Sequence, residues 1–173
     1  GDKYIVYRRE ETAARPSLFI KDVPDYGAPA RLLLDPLQID PSGKTNIKFT
    51  SITADGKTMA YALSVSGADK ATLRFMDIET GKNIDLAYPN FQTNVNETVK
   101  WDNDGKGFYY NHSNEADKSS EVRYHKMGTL AESDKIIYAP KAAETGGEFS
   151  LLRNEENKPG AFEYIQKYKA INV

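Results

Sequence analysis

The chain has no cysteine, only two histidines among its 173 residues, and no run of 18 or more apolar residues. Without cysteine there is no disulfide framework, no thiolate nucleophile and no thiolate metal site, and the redox compartment stays open. The lack of long apolar runs leaves no segment of the length a membrane-spanning helix needs. The first thirty residues also lack an apolar signal-peptide segment, so a cytoplasmic location, or a periplasmic one after removal of a leader, is equally compatible. An excess of one charge is missing too, since 23 Lys and Arg face 25 Asp and Glu for a net charge of −2. Such a balance gives no field to gather nucleic acid or an anionic membrane, and neither is expected as a partner.

Catalytic signatures are as scarce. The sequence contains neither a Gly-x-Ser-x-Gly elbow nor a G-x-x-x-x-G-K phosphate loop. A serine nucleophile needs a base beside it, usually histidine held by a carboxylate. His112 ends an alternating segment and His125 lies within one, neither near such an elbow, so structural or surface roles are expected of both. The acid pairs Glu10-Glu11 and Glu155-Glu156 lie in polar, turn-like segments where charge is easily solvated, and they read as surface charges rather than an acid/base dyad. Asp102-Asn103-Asp104-Gly105 has the acid spacing of a calcium loop. With Gly105 in the glycine slot, however, the first ligand position falls on Lys100 and the last on Asn111, where a glutamate is needed. A hairpin turn is expected there instead. Asn96-Glu97-Thr98 and Asn111-His112-Ser113 fit the glycosylation sequon, a pattern common by chance that carries no weight here. No catalytic, cofactor-binding or metal-ligating residue is assigned, and no cofactor is expected.

What the chain does contain is a repeat. Asp55-Gly56-Lys57 returns 49 positions later as Asp104-Gly105-Lys106, and the same offset carries Leu73-Arg74-Phe75 onto Val122-Arg123-Tyr124 and Thr80 onto Thr129. An offset of 55 places Tyr4-Ile5-Val6-Tyr7 under Met59-Ala60-Tyr61-Ala62, and Leu18, Ile20 and Asp22 under Leu73, Phe75 and Asp77. A period of about 40–50 residues with strand-sized apolar runs is the signature of β-propeller blades of four strands each. The central unit is expected to have strands at 46–52, 58–65, 70–77 and 82–86, and the next at 96–102, 107–112, 120–126 and 134–138. Asp-Gly and Thr-Gly steps supply the positive φ of the tight turns between them. After Gly146-Gly147, residues 148–153 read as the first strand of a further blade and 161–166 as its second, although Phe162, Ile165 and Tyr168 also suit a helical stripe. The strand tyrosines Tyr4, Tyr7, Tyr61, Tyr109, Tyr110 and Tyr124 are expected to fill space between blades.

The fold class is therefore all-β: a partial β-propeller with about two full four-stranded antiparallel blades and incomplete blades at both ends. The division expected is 1–40 for an incomplete first blade, 41–90 and 91–142 for two blades, and 143–173 for the start of another or a tail. An open propeller exposes sheet faces and unpaired edges, so self-association is expected.

Trp101-Asp102-Asn103-Asp104-Gly105-Lys106-Gly107-Phe108-Tyr109-Tyr110, followed by Arg123-Tyr124-His125-Lys126-Met127-Gly128-Thr129, resembles the propeller domain of the prolyl oligopeptidase family of serine peptidases. Tyr7-Arg8-Arg9-Glu10-Glu11 and Leu32-Leu33-Leu34-Asp35-Pro36 resemble its opening blade. The likeness spans roughly residues 4–140 and fades after Gly147. It implies a seven-bladed propeller set over an α/β-hydrolase domain, whose Ser-Asp-His triad cleaves short peptides after proline. None of that triad maps onto this chain. The propeller's implied role is to limit access of peptides to the enclosed active site, with the inner strands, here 46–52, 96–102 and 148–153, lining the channel. Asp-Gly-Lys turns alone also suit a propeller-type protein-binding or scaffold module, the alternative reading. A glycosidase-type propeller ranks last, since the inner strands offer few carboxylates.

Overall fold

A computed structural model describes residues 3–9, 11, 13–92, 99–113, 120–139, 148–153 and 162–167, arranged as four antiparallel sheets. The first has three strands in sequence order, β1 (Tyr4–Arg8), β2 (Ser17–Lys21) and β3 (Arg31–Leu34). One helical turn follows, α1 (Pro36–Ile39), whose first free N–H, that of Leu37, donates to the Asp35 carboxylate at 3.0 Å. The second sheet runs β4 (Thr45–Ile52), β5 (Thr58–Val65), β6 (Lys70–Asp77) and β7 (Tyr88–Gln92). The third runs β8 (Lys100–Trp101), β9 (Gly107–Ser113), β10 (Ser120–Lys126) and, after a 3-10 turn, β11 (Lys135–Tyr138). In the fourth, β12 (Glu148–Arg153) pairs with β13 (Phe162–Lys167), so the last segment is a strand and not a helix.

The repeat seen in the sequence is repeated in the pairing. Ala60 stands opposite Phe75 and, 49 positions on, Tyr109 stands opposite Tyr124. Both Asp-Gly-Lys segments are tight turns in which glycine takes positive φ, 72° at Gly56 and 69° at Gly105. Each turn is held by its aspartate. Asp55 accepts the Lys57 N–H and Asp104 accepts the Lys106 N–H, both at 3.0 Å.

Because side chains alternate across a strand, β5 serves two interfaces at once. Met59, Tyr61 and Leu63 join Leu18, Ile20, Leu33 and Leu34 in a core between the first and second sheets. Ala60 and Ala62 face the other way, into a core with Phe75, Tyr88, Trp101, Phe108 and Tyr110 between the second and third. The small residues on that side leave room for the aromatics, which meet in edge and tilted geometry, as Phe75 does with Trp101 at 5.9 Å and Phe108 at 5.2 Å.

One strand differs from expectation. The fourth strand of the second sheet is Tyr88–Gln92, not 82–86, where Asn83 makes a single bridge to Met76 and the ladder then breaks. The cause is local. The Asp85 carboxylate accepts its neighbour's N–H, that of Leu86, at 2.7 Å, a side-chain bond that competes with strand pairing. Pairing resumes only at Tyr88, opposite Leu73. The expected first strand at 96–102 is described only as Lys100–Trp101; residues 93–98, the loop at 114–119 and the turn at 154–160 lie outside the described residues.

Candidate functional site

The densest polar arrangement in the described residues lies inside the seam between the second and third sheets. His125 on β10 is fully buried, and its ring packs against Phe108 at 5.0 Å and edge-on to Tyr88 at 4.7 Å. Its Nδ1 lies 2.7 Å from Asp134 Oδ1, and the Tyr88 hydroxyl also contacts Nδ1. Tyr110 and Tyr88 both donate to Asp134 Oδ2, at 2.8 and 3.3 Å. On the far edge of the ring, Nε2 faces Asp85 Oδ2 at 3.8 Å, beyond hydrogen-bond range, and has no hydrogen-bond partner among the described residues. Asp85 Oδ2 accepts the Gly128 N–H at 2.8 Å.

Two sheets contribute to this cluster. Asp85 and Tyr88 come from the second, and Tyr110, His125 and Asp134 from the third. The side chains of His125, Asp134 and Asp85 are 0, 0 and 2% exposed, so solvent reaches none of them. Burial, reinforced by the neighbouring Asp134 charge, holds the Tyr88 phenol far above the ordinary tyrosine range. Burial and the hydrogen bond to Asp134 do the same for Tyr110. Both phenols therefore remain protonated donors.

An imidazole beside a carboxylate is two thirds of a hydrolytic triad, but among the described residues the third part is missing. The hydroxyls within reach are phenols kept protonated, and nothing exposes the ring to substrate. The arrangement fits a pin between sheets, the structural role expected of His125. His112 lies at the margin of the cluster on β9, half-buried and edge-on to Tyr110 at 6.5 Å, where burial pushes its ring below the usual histidine range.

The other expected features fall elsewhere. Asp102 to Gly105 form the hairpin turn, with the Gly105 N–H donating to Asp102 O at 3.3 Å. Asp104 is drawn below the usual carboxylate range chiefly by its hydrogen bond from Lys106, and Asp102 Oδ2 accepts the Tyr124 hydroxyl at 2.7 Å. Among the described residues no group of three His, Asp or Glu side chains is arranged so that it could hold a metal ion. Tyr61 and Tyr110 are buried between sheets as expected, Tyr109 and Tyr124 meet in tilted geometry at 4.9 Å, and Tyr7 is half exposed with its hydroxyl 3.0 Å from Thr50 Oγ1. Of the acid pairs, Glu10, Glu155 and Glu156 lie outside the described residues, as does Asn96, and Glu11 is exposed. No helix among the described residues is long and apolar enough to cross a membrane.

Asp85, Tyr88 and Asp134 were not singled out from the sequence. A signal for the two acids was present, because they stand 49 positions apart, the same interval as the two Asp-Gly-Lys turns. Nothing comparable marks Tyr88.

Comparison with known proteins places this geometry in context. Residues 1–153 match the family described as prolyl oligopeptidase, N-terminal β-propeller domain. The chain is 30% identical over 94 residues to dipeptidyl aminopeptidase BI of Pseudoxanthomonas mexicana, covering 54% of this chain and 12% of that protein. It is 27% identical over 157 residues to prolyl oligopeptidase A of Galerina marginata, covering 77% of this chain and 20% of the relative. The chain thus spans a fifth or less of the length of these relatives. Among solved structures, a prolyl endopeptidase superposes with a TM-score of 0.76 at 18% identity, covering 98% of this chain and 28% of that one.

Proposed function

Since the chain belongs to the family of prolyl oligopeptidase N-terminal β-propeller domains, we propose that it forms part of the propeller of a serine peptidase that cleaves after proline. In that role it limits which peptides reach the active site and performs no catalysis alone. The observation that carries the reading is the family match over residues 1–153, which coincides with sheets stacked face to face around apolar seams. The proposed division is an incomplete blade at 1–40, blades at 41–90 and 91–142, and the start of another from 143. The proposed partners are an α/β-hydrolase domain and short peptide substrates. The inner strands β4, β8 and β12 would line the channel. The buried state of His125 supports the absence of catalysis, because the described imidazole–carboxylate pair is sealed from substrate.

Two measurements test this hypothesis. The chain alone, incubated with a proline-containing chromogenic peptide, should give no turnover above buffer; activity that follows the chain through successive purification steps would refute the non-catalytic part. In the proposed parent enzyme, a short proline-containing peptide should be cut and a folded protein carrying the same sequence should not. Equal rates on both would refute access control.

A further inference from the structure

The two seams that flank the second sheet are built from different chemistry at equivalent positions. His125 on β10 follows Met76 on β6 by 49 residues, and each faces the preceding sheet. Tyr88 stands opposite Leu73 as Leu34 stands opposite Leu18, so the second seam has tyrosine where the first has leucine. The interior of the first seam is thus mostly apolar, with Leu18, Leu34, Met59 and Met76 buried beside Tyr61, whose hydroxyl donates to Asn83 of its own sheet and not across the seam. Its cross-sheet hydrogen bonds from Tyr7 to Thr50 and from Arg31 to the Ile78 carbonyl start from exposed side chains. The interior of the second seam holds the His125, Asp134, Tyr88 and Tyr110 network, with Asp85 behind it.

We propose that the second and third sheets form one rigid body and that the first sheet shifts on the second, making the apolar, methionine-lined seam the joint at which this propeller yields. Apolar contact is non-directional, and the unbranched thioether of methionine refits an altered surface, so a small slide at the first seam keeps most of its contacts. Hydrogen bonds weaken steeply with distance and angle. A similar slide at the second seam would strand the Asp134 carboxylate and two phenols in a low-dielectric interior, where an unpaired polar group is most unfavourable. The proposal concerns how the sheets pack, and it stands whether or not the propeller limits access to a peptidase.

The absence of cysteine makes the test clean, because introduced thiols are the only labelling sites. Val23, Glu79 and Lys135 are exposed, one associated with each of the first three sheets. Spin labels on Val23→Cys with Glu79→Cys report across the first seam, and on Glu79→Cys with Lys135→Cys across the second. The expected result from dipolar electron paramagnetic resonance is a distance distribution wider across the first seam by about 1–2 Å, the scale of a shear step between packed elements. Equal widths, or a wider second seam, would overturn the proposal without any core substitution. Adding His125→Met to the second pair should widen its distribution toward that of the first. Where that variant fails to fold, Tyr88→Phe, which removes one hydroxyl and keeps the ring, should produce a smaller widening, and an unchanged width in a folded variant would also overturn the idea.

Discussion

Replacing Gly107 by alanine should destabilise the third sheet through a single identifiable clash. Gly107 opens β9 in extended backbone, so the issue is space and not φ. A Cβ at this position would lie 2.1 Å from Tyr124 Oη, 2.4 Å from Tyr124 Cζ and 2.6 Å from the His125 carbonyl oxygen. Tyr124 lies over the glycine because its hydroxyl donates to Asp102 Oδ2 at 2.7 Å, tying β10 back to the Asp-Gly-Lys turn. Overpacking of this kind costs about 1–3 kcal/mol. Displacing the ring also breaks a hydrogen bond to a charged group, worth about 1.5–3 kcal/mol, the lower end applying to a half-exposed phenol. The sum is about 3 kcal/mol, which for a chain of this length lowers the midpoint of thermal unfolding by roughly 6–12 °C. Circular dichroism melts of Gly107→Ala measure it. The decisive comparison is a double-mutant cycle with Tyr124→Ala, which removes the ring and, of the three nearest contacts, leaves the carbonyl. In that background the alanine should cost no more than about 1 kcal/mol, within the range left for one residual contact. An undiminished cost there would refute the clash as the cause.

Two further outcomes follow from the same coordinates. Hydrogen bonds from Ser42 and Thr45 hold the Asp40 carboxyl at about 2, below its usual 3.8. A depressed folded-state value stabilises the fold above the usual value and loses that contribution as pH falls through the folded one, so the melting temperature of the unaltered chain should fall more steeply from pH 4 to 2 than that of Asp40→Asn. Superimposable profiles would remove Asp40 from the account. The first sheet presents β1 at its edge and the row Val6, Phe19 and Leu32 on one face, with Leu32 exposed, and this favours self-association. Sedimentation at micromolar concentration should show species larger than one chain, and a stable compact monomer would count against it.

The turns were the most legible part of this fold, for a physical reason. Asp-Gly-Lys encodes its geometry locally: glycine accepts positive φ and the aspartate caps the turn through an N–H two residues on. Strands between such turns follow from alternation, which is why β5, β6, β9 and β10 lie close to their expected ranges. The displacement of β7 was not legible, because Ile84 and Leu86 suit a strand by pattern. Only the Asp85 side chain, bonding its own neighbour and reaching Gly128 of the next sheet, diverts the chain. The buried cluster was illegible for a related reason. Tyr110, His125 and Asp134 meet only through the pairing of the third sheet, Asp85 and Tyr88 join them only when the second sheet stacks on it, and neither Tyr88 nor Asp134 belongs to a local motif.

That cluster also answers a difficulty peculiar to chains built from near copies. If every seam were apolar, any sheet would stack acceptably on any other, and misassembly is a characteristic failure of repeat proteins. Here the face of the third sheet carries His125 and Asp134, and only the second sheet offers Tyr88 and Asp85 to meet them. Stacked on the first sheet instead, the same face would meet Leu33 and Leu34. It would then lack the Tyr88 hydroxyl that donates to Asp134, a loss of about 1–3 kcal/mol for each buried polar group left unmet. The reverse exchange is unfavourable too, because Met76 facing this surface leaves the Tyr88 phenol short of a partner and deprives the Asp85 carboxylate of the Gly128 N–H. The discrimination therefore resides on both faces of this seam, around a histidine that looks catalytic by residue type and is made structural by where the fold seals it.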